Sequence, residues 1–339
     1  MRAAVAEGGR IAVREVAAPE PGPGEALLRV LACGVCGSDL HHFAGRAADA
    51  APLVYGHEFA AEVAAYGPGA SGPAAGTRVV AVPQAGGEIV GLSERYPGGF
   101  AEQAVVAADM LIPVPPHVPT GHAALTEPLA VGAHAVAAAP ATAEAALVIG
   151  CGPIGLAVIA ALTSAASAPY VIAADLSDAR RELARRMGAD EVVDPRAGDP
   201  YGRLGARVTA AEAPGGSLRG DRTEPGAVVF ECVGVPGMIQ QVFAGAPPGA
   251  RVVVAGACME PDTTVPVVAL VKELTVAYVF GYTRAEFAAT LDAIASGAVD
   301  PGPLITGRVG LDGVADAFTA LADPERHAKI LVHPQEATP

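Results

Sequence analysis

The chain has no tryptophan, few charged side chains and only five cysteines among its 339 residues. Its 22 Lys and Arg residues are outnumbered by 36 Asp and Glu residues, which gives a formal net charge of -14. Such a field would repel phosphate backbones and anionic lipid, so we expect a small-molecule partner, with no nucleic acid and no membrane as ligand. Just over half of the residues are hydrophobic, which is enough for a large core and argues against disorder.

The five cysteines are scattered and odd in number, unlike the dense even pattern of a disulfide-stapled secreted protein, so we expect reduced thiols or ligands. The first 14 residues carry three arginines and a glutamate, and they lack the apolar run of a secretory signal. These features predict a cytoplasmic protein. Residues 145–174 have no charge, but Gly150, Gly152 and Gly155 favour a strand, a turn and a helix over a membrane span.

The length predicts two domains, since it is about twice that of a usual single domain. The first 120 residues contain short strands separated by Pro and Gly, which is typical of a small β-rich domain. The later residues alternate apolar strands with helical segments, as in the βαβ units of a doubly wound parallel sheet. We therefore predict an α/β protein, with a β-rich domain of residues 1–120 and 284–339 and a Rossmann domain of residues 121–283.

The predicted strands of the β-rich part are 26–32, 60–65, 78–82 and 103–106, and those of the parallel sheet are 147–149, 170–174, 191–193, 227–231, 251–255 and 274–278. The C-terminal part is predicted to contain helices at 284–296 and 314–321 and strands at 304–309 and 328–333. Residues 196–226 are interpreted as a surface excursion with a short helix near 207–213.

A glycine-rich turn follows the first strand of the predicted parallel sheet. Residues 147–155 place an apolar strand before a G-x-G-x-x-G pattern, and a buried helix follows. Gly150 can form the tight turn, Gly152 leaves room for a pyrophosphate, and Gly155 lets helix and strand pack closely. The pattern predicts a dinucleotide site, although the same glycines would also serve simply to pack a helix on a strand.

Asp175 ends the second strand of this sheet, twenty residues after Gly155. Its carboxylate can accept hydrogen bonds from the adenine-side ribose and would repel a 2′-phosphate, which favours NAD over NADP. Arg180 and Arg181 would partly compensate if a loop brought them in. A plainer interpretation is that Asp175 caps the helix starting near Ser177. A methyltransferase that binds S-adenosylmethionine would share the turn and the acid.

Thiol, imidazole and carboxylate groups are concentrated in the β-rich part of the chain. A catalytic zinc takes three protein ligands from S, N and O donors and leaves one position open, and Cys36, His57 and Glu127 would supply such a set. Cys33 and Cys36 also form a C-x-x-C pattern, which alternatively indicates half of a structural zinc site or a redox pair. No second C-x-x-C exists, and the pair precedes the βαβ region. Alone, His57 would be interpreted as a core histidine.

The order of these motifs resembles the zinc-dependent medium-chain dehydrogenases. The matching pieces are CGSDLH at 36–41, GHE at 56–58, EPL at 127–129, the glycine turn with Asp175, and ECVG at 231–234. Together they are similar to the polyol branch, which includes sorbitol, butanediol and threonine dehydrogenases, over nearly the whole chain. The resemblance implies a GroES-like catalytic domain beside the Rossmann domain, and we expect a homodimer or a homotetramer.

The resemblance also implies a ligand set. Cys36 and His57 would bind one catalytic zinc, with Glu127 as a direct ligand or as the partner of the zinc-bound water. Glu58 would alternate with that water. Asp39 would accept a hydrogen bond from the ligating imidazole and orient it.

The activity implied by the resemblance is oxidation of a secondary alcohol or polyol to the ketone with NAD. Zinc would lower the pKa of the alcohol, Ser38 would take its proton, and a relay through the cofactor ribose to His41 would release the proton while the hydride passes to the nicotinamide. Without the resemblance, Ser38 would be a turn hydroxyl, His41 a solvated imidazole and Lys329 a surface lysine. The residues implied to contact the cofactor are Gly150, Gly152, Pro153, Ile154, Gly155, Asp175, Arg180, Val233 and Lys329.

The chain departs from the family at one lobe. Family members often hold a structural zinc with four closely spaced cysteines, but residues 83–100 contain none, so we predict one catalytic zinc and no structural zinc. Tyr96, Phe100 and Phe280 are candidates for the substrate pocket. Three alternatives stay open: a zinc-free NADPH-dependent quinone or enone reductase of the same fold, a methyltransferase, and a non-catalytic nucleotide-binding protein.

Overall fold

The computed structural model describes residues 1–47, 49–208 and 226–336, and the chain divides into two compact units. The first unit contains Met1–Glu127 and Arg284–Pro339, and the second contains Pro128–Thr283. The first boundary falls after Glu127 and not at residue 120, because a short helix at Thr120–Ala124 contacts strands of the first unit. The helix predicted near 207–213 lies mostly outside the described residues.

Strands and helices are numbered in chain order. The strands up to residue 113 are β1 (Arg2–Glu7), β2 (Arg10–Glu15), β3 (Glu25–Gly34), β4 (Glu58–Tyr66), β5 (Arg78–Ala81), β6 (Gln84–Ala85), β7 (Glu88–Ile89), β8 (Gln103–Ala107) and β9 (Leu111–Pro113). The later strands are β10 (Ala145–Ile149), β11 (Tyr170–Ala174), β12 (Glu191–Val193), β13 (Ala227–Glu231), β14 (Arg251–Val254), β15 (Thr275–Tyr278), β16 (Ile305–Val309) and β17 (Lys329–Val332). The helices are α1 (Gly37–Gly45), α2 (Thr120–Ala124), α3 (Thr126–Ala137), α4 (Pro153–Ser164), α5 (Asp178–Arg186), α6 (Pro200–Gly205), α7 (Met238–Gly245), α8 (Pro266–Val271), α9 (Arg284–Ser296) and α10 (Val314–Ala320).

The first unit is built on a mixed seven-stranded sheet. Its strand order is β16-β17-β3-β4-β5-β9, and β8 also pairs with β3. Alternate residues of β3 are buried along its first half, as expected for a strand with one face on a core. Gly34 at the end of β3 lies opposite Glu58 of β4 on one side and opposite Leu331 of β17 on the other. Only the end of β3 therefore separates the C-terminal strand β17 from the first residue of β4.

The second unit contains a six-stranded parallel sheet. Its order, β12-β11-β10-β13-β14-β15, is the 3-2-1-4-5-6 arrangement of a doubly wound fold. All five residues of β10 and of β13 are buried, which explains why β10 is continuously apolar and β13 is apolar up to its last residue, Glu231. The α/β prediction with a Rossmann-type sheet is confirmed, and the predicted bounds of β11, β12 and β13 agree with the observed ones.

Several elements were not predicted from the sequence. The β1–β2 hairpin has an exposed second strand with charged residues at both ends, so its apolar alternation is weak. Helix α3 has no periodic polar face, because its polar residues are Thr126 and Glu127 at its start and His134 near its end. The uncharged stretch 145–174 forms β10, α4 and β11, and in the described part of the chain no helix has the length and apolar character needed to cross a bilayer.

Candidate active site

Cys36 lies at the N-terminal cap of α1, where the chain leaves β3 in an extended conformation. Its amide donates a hydrogen bond of 3.0 Å to Oδ2 of Asp39, and the Asp39 amide donates to the Cys36 carbonyl at 3.2 Å. The reciprocal bonds satisfy amides that the first helical turn would otherwise leave free. Helix α1 therefore presents the Cys36 thiol and the Ser38 hydroxyl in a defined geometry, beside a fully buried Asp39.

His57 and Glu58 follow a sharp turn at Gly56. The φ of Gly56 is +101°, which L side chains rarely adopt. A side chain there would also lie 2.8 Å from both the Cys33 sulfur and the Phe100 ring. This glycine therefore lets the chain turn tightly over the core and enter β4 through two buried polar residues, His57 just before the strand and Glu58 at its start.

The imidazole of His57 faces two residues of α1. Its Nδ1 lies 3.3 Å from Oδ1 of Asp39, and its Nε2 lies 3.3 Å from the hydroxyl oxygen of Ser38. Within the described residues, neither Asp39 Oδ1 nor His57 Nδ1 has a hydrogen bond of good geometry, so their contact is primarily electrostatic. Burial lowers the pKa of His57, but the charges of Asp39 and Cys36 outweigh burial and raise it well above its ordinary value. The anionic surroundings favour a cation at this position.

Cys36, His57 and Glu58 each offer one ligand atom, and these atoms all lie within 4.8 Å of one another. A thiolate, an imidazole and a carboxylate are the donors that zinc takes in proteins, so the chemistry of the set fits this metal. Among the described residues, the group does not include Glu127, the second residue of α3. The charge of Glu127 nevertheless raises the pKa of Lys329, together with the charges of Glu58 and Cys36.

Cys33 is a core residue and not part of this cluster. Its side chain is fully buried, and its sulfur lies 3.6 Å from the Gly34 carbonyl oxygen. Burial raises the pKa of the Cys33 thiol well above its ordinary value. Metal binding and disulfide exchange both need a thiolate, so the buried thiol argues against the redox interpretation of the C-x-x-C pattern.

Lys329 lies in a different environment from the one expected. It is 1% exposed, and its Nζ donates to both carboxylate oxygens of Glu58 at 2.7 and 2.8 Å and to the Val35 carbonyl at 3.0 Å. Burial lowers the pKa of Lys329, but Glu58 and Cys36 outweigh it, so the pKa is raised and the side chain stays charged. The surface interpretation is wrong, and the ammonium is directed at Glu58 of the candidate ligand cluster, where the resemblance implied a cofactor phosphate. The reason is the pairing of β17 with β3, which no local pattern in the sequence indicates.

The three glycines of the G-x-G-x-x-G motif differ in the space that surrounds them. Gly150 has a φ of +87°, and a side chain there would lie 2.7 Å from Cγ2 of Val233. A side chain on Gly155 would collide with the Gly150 carbonyl, so only glycine lets α4 pack this closely. Gly152, the cap of α4, faces open space, with Nη1 of Arg180 as its nearest neighbour at 4.0 Å.

Helix α4 begins with Pro153 and Ile154. Proline suits the first helical position because its missing amide would have no intrahelical partner there. The helix has 12 residues and no acidic side chain in its first turn. Its positive dipole end is therefore not compensated by its own carboxylates, which suits an anionic ligand.

Asp175 connects two turns at the carboxyl edge of the sheet. Its Oδ2 accepts a 2.7 Å bond from the Cys151 amide, and its Oδ1 accepts a 2.8 Å bond from the Ser177 amide. The cap of α5 is Ser177, whose hydroxyl oxygen accepts from the Arg180 amide, so Asp175 is not the helix cap. Each carboxylate oxygen keeps a further lone pair for a ligand.

Arg181 is nearly buried and already engaged by neighbouring groups. Its guanidinium donates to the Asp175 carbonyl at 2.6 Å and pairs with Asp178 and, at 3.6 Å, with Asp194. These contacts engage the guanidinium with groups of the protein itself. Of the two arginines considered from the sequence, Arg180 therefore lies beside the glycine turn and Arg181 acts in local packing.

His41 and His42 are exposed side chains of α1. The Nδ1 of His42 lies 2.9 Å from the hydroxyl of Tyr55, a buried residue just before the Gly56 turn. Burial raises the pKa of Tyr55 to about 12, so the hydroxyl keeps its proton at neutral pH. This link between α1 and the 55–58 segment was not predicted, since His42 had no assigned role. The exposure of His41 suits release of a proton to solvent.

Two of the three candidate pocket residues belong to the core. Tyr96 is 4% exposed and its hydroxyl donates to Glu25 at 2.8 Å, while Phe100 is 1% exposed and packs edge-on against Phe318. Their prediction as substrate-lining residues is wrong, because the loop 83–100 folds inward on them. Phe280 is 91% exposed.

Comparison with known proteins gives matches over nearly the whole chain. Residues 153–296 match the family described as zinc-binding dehydrogenase, and residues 22–116 match the alcohol dehydrogenase GroES-like domain. The (R,R)-butanediol dehydrogenase of Bacillus subtilis (strain 168) is 33% identical, with 96% of each chain covered. A solved structure of the alcohol dehydrogenase RspB from Escherichia coli CFT073, complexed with NADH, has a TM-score of 0.83 at 26% identity and covers 98% of this chain and 99% of that one. A zinc-binding dehydrogenase from Sinorhizobium meliloti 1021, bound to NADP, has a TM-score of 0.80 at 30% identity with the same coverage.

Proposed function

We propose that this chain oxidises a secondary alcohol or polyol to the ketone with NAD. The chain belongs to the zinc-binding dehydrogenases with an alcohol dehydrogenase GroES-like domain. The observation that carries this proposal is the convergence of Cys36, His57 and Glu58 on one small volume. A zinc-free reductase, a methyltransferase or a simple nucleotide binder would have no use for this donor set. The (R,R)-butanediol dehydrogenase relative favours a vicinal diol as substrate.

In the proposed reaction, Cys36 and His57 would hold a single catalytic zinc, and Glu127 or Glu58 would complete the set. Zinc supplies a Lewis acid that lowers the pKa of the alcohol. Ser38, whose hydroxyl lies 3.3 Å from the His57 ring, would accept the alcohol proton while it passes its own hydroxyl proton to the ribose of NAD. The exposed His41, on the same helix, would take the proton from the ribose and release it to solvent, and NAD would receive the hydride of the alcohol carbon.

NAD is proposed over NADP on the strength of Asp175. Its carboxylate has lone pairs left for ribose hydroxyls, and its charge would repel a 2′-phosphate. Arg181 is held by Asp175, Asp178 and Asp194, which supports the same choice. The two solved relatives contain NADH in one case and NADP in the other, so the choice rests on this chain's own residues.

We also propose that the chain forms a homodimer or homotetramer. Most of the large apolar side chains that are exposed within the described residues lie between 259 and 280, around α8 and the outermost strand β15. Examples are Leu270 at 71%, Val271 at 69% and Tyr278 at 73% exposure. A second copy would bring the same edge of β15 and the same apolar face. A two-fold contact would therefore pair the two strand edges and bury the two apolar faces against each other.

The deciding measurement is metal content per subunit with NAD reduction on a panel of secondary alcohols and diols. We expect about one zinc in the wild-type protein, with zinc and activity both lost in Cys36→Ser. Cys33→Ala is the matched control, because it removes the neighbouring buried thiol and should keep the zinc. Wild-type protein that binds NAD but no zinc would overturn the proposal in favour of the zinc-free reductase or the nucleotide binder.

A further inference from the structure

A buried carboxylate ends the strand next to the glycine turn. Glu231 is the last residue of β13 and is 1% exposed. Its Oε1 accepts hydrogen bonds from the amides of Val233 and Gly234 at 2.7 and 2.8 Å. In the described part of the chain, no lysine or arginine forms an ion pair with Glu231, whereas the buried carboxylate of Glu58 is paired with Lys329. The charge of Glu231 is therefore held by backbone amides alone among these residues.

The strand order indicates which part of a dinucleotide would lie nearest to Glu231. Asp175 follows β11, the glycine turn follows β10, and Glu231 ends β13, and these strands are neighbours in the order β11-β10-β13. The adenine-side ribose belongs beside the acid after the second strand, and the pyrophosphate belongs at the glycine turn. The nicotinamide half would therefore extend toward the end of β13. Since neighbouring strands are about 4.8 Å apart, two strand spacings put the ring on the order of 10 Å from Glu231.

Two turns of the backbone enclose this carboxylate. The carbonyl of Glu231 accepts from the amides of Ala255 and Gly256 at 2.9 and 2.8 Å. A side chain on Gly256 would lie 2.5 Å from Oε2 of Glu231 and 2.4 Å from the Gly234 nitrogen, so the turns after β13 and β14 pack directly around the acid. The charge of Glu231 adds to burial in raising the pKa of Cys232 well above its ordinary value. Its field thus reaches the segment that borders the glycine turn, with little water to screen it.

We infer that Glu231 is a specificity-determining residue that selects the redox state of the cofactor, by favouring the charged nicotinamide of NAD⁺ over the neutral ring of NADH. The inference rests on the proposed use of NAD and deepens it. The two forms share the adenosine and the pyrophosphate and differ by one unit of charge on the nicotinamide ring. A fixed negative charge near that ring stabilises bound NAD⁺ and leaves the affinity for NADH nearly unchanged. Glu231 would therefore favour binding of the oxidised cofactor and release of the reduced one, as alcohol oxidation requires.

The test measures direct binding of NAD⁺ and of NADH by isothermal titration calorimetry, with no alcohol present. Glu231→Gln removes the charge and keeps a carbonyl oxygen for the two amides. We expect its ratio of NAD⁺ to NADH dissociation constants to rise about tenfold, the effect of unit charges roughly 10 Å apart at an effective dielectric constant of about 20. Glu231→Asp keeps the charge on a shorter side chain, so both affinities should fall together and the ratio should stay near that of wild type.

Glu191→Gln is the matched control. Glu191 is the first residue of β12 and pairs with Arg203, so it lies at the opposite edge of the same parallel sheet. Its substitution removes one negative charge from the chain and should leave the ratio of the two dissociation constants unchanged.

The outcomes separate this inference from the proposed function. An equal loss of both affinities in Glu231→Gln, or an unchanged ratio, would make Glu231 a structural brace and overturn the inference alone. If Glu231→Gln does not fold, Cys258→Lys is compared with Cys258→Gln, two residues after Gly256 on the same edge. The lysine should raise the ratio at least about threefold over the glutamine, and equal ratios would overturn the inference.

The activity assay is independent of these titrations. A shifted ratio in a protein that oxidises no alcohol would support the inference while contradicting the proposed activity. Wild-type protein that binds neither form of the cofactor would overturn both.

Discussion

At the scale of single residues, the candidate site concentrates buried charge. Asp39, Glu58 and Lys329 are each at most 1% exposed, and His57 is 7% exposed. Burying such groups costs several kcal/mol each unless opposite charges and hydrogen bonds compensate them. Two pairs do so here, His57 with Asp39 and Lys329 with Glu58. The arrangement depends on small residues that leave space for it.

Substitution of Gly34 tests most directly whether the buried charges depend on small neighbouring residues. Gly34→Ala would push a methyl group into the Glu58 carboxylate, so we expect a loss of about 1–3 kcal/mol in the free energy of unfolding. Gly37→Ala is the control, because Gly37 also lies next to the site but has no atom within 4 Å of the added carbon. Urea unfolding of both variants measures the difference. Equal stabilities would contradict the packing around Glu58 described above.

Asp194 leads to a prediction about how the stability of the protein depends on pH. Its hydrogen bonds with Arg196 lower the pKa of its carboxyl from 3.8 to about 2, and the charge of Arg181 adds to this. A folded-state pKa below the unfolded one gives stability that is present above about pH 4 and is lost as the pH falls toward 2. We expect Asp194→Asn to be less stable than wild type at pH 7 and the gap to shrink below pH 4. A gap independent of pH in urea unfolding would argue against this ionic contribution.

At the scale of elements, the strand–turn–helix β10–α4 combines two requirements in one motif. The turn must let helix and strand approach closely, which depends on Gly150 and Gly155, and it must leave room at the helix start, which depends on Gly152. The first requirement concerns folding and the second concerns the ligand, so substitutions can separate them.

Gly155→Ala and Gly152→Ala should have opposite signatures. The first collides with the Gly150 carbonyl, so we expect a lower melting temperature. The second has no protein neighbour closer than Arg180, so the fold should be stable within about 0.5 kcal/mol, while the methyl group obstructs the pyrophosphate and raises KM for NAD about tenfold. Thermal melts and NAD titrations measure both. A Gly152→Ala protein with wild-type KM would show that the cofactor does not approach this turn.

At the scale of the whole molecule, the two units carry different parts of the chemistry. The first unit contains the candidate metal ligands, and the second contains the glycine turn and Asp175. The second unit also has the exposed apolar face around α8 and β15, which would be an aggregation hazard in an isolated chain.

Self-association is expected to depend on that face. Leu270→Glu combined with Val271→Glu places two charges on side chains that are 71% and 69% exposed, so the folded monomer should tolerate them while association is lost. Ile89→Glu, on an exposed side chain of the first unit, is the control. Light scattering after size exclusion gives the mass of each protein. A double variant with the wild-type mass would assign the contact to another surface.

Local patterns in the sequence were sufficient for the α/β class, the parallel strands and the glycine turn. These features depend on short-range properties, such as the apolar runs of β10 and β13 and the glycine spacing at 150–155. The family resemblance added the candidate ligands Cys36 and His57, which the structure brings together with Glu58. The β1–β2 hairpin and α3 were missed, since their apolar residues follow no clear period.

Only the tertiary structure decided which side chains face each other across long stretches of chain. Lys329 and Glu58 are 271 residues apart in sequence, and they meet because β17 joins β3 on the side opposite β4. A lysine in a short strand is usually exposed, so no composition or spacing could place this one in the core. Tyr96 and Phe100 were misjudged because the loop 83–100 carries both side chains into the hydrophobic core, which their residue types alone do not reveal. Sequence determines which residues are able to act, whereas the register of neighbouring strands determines which partners they have.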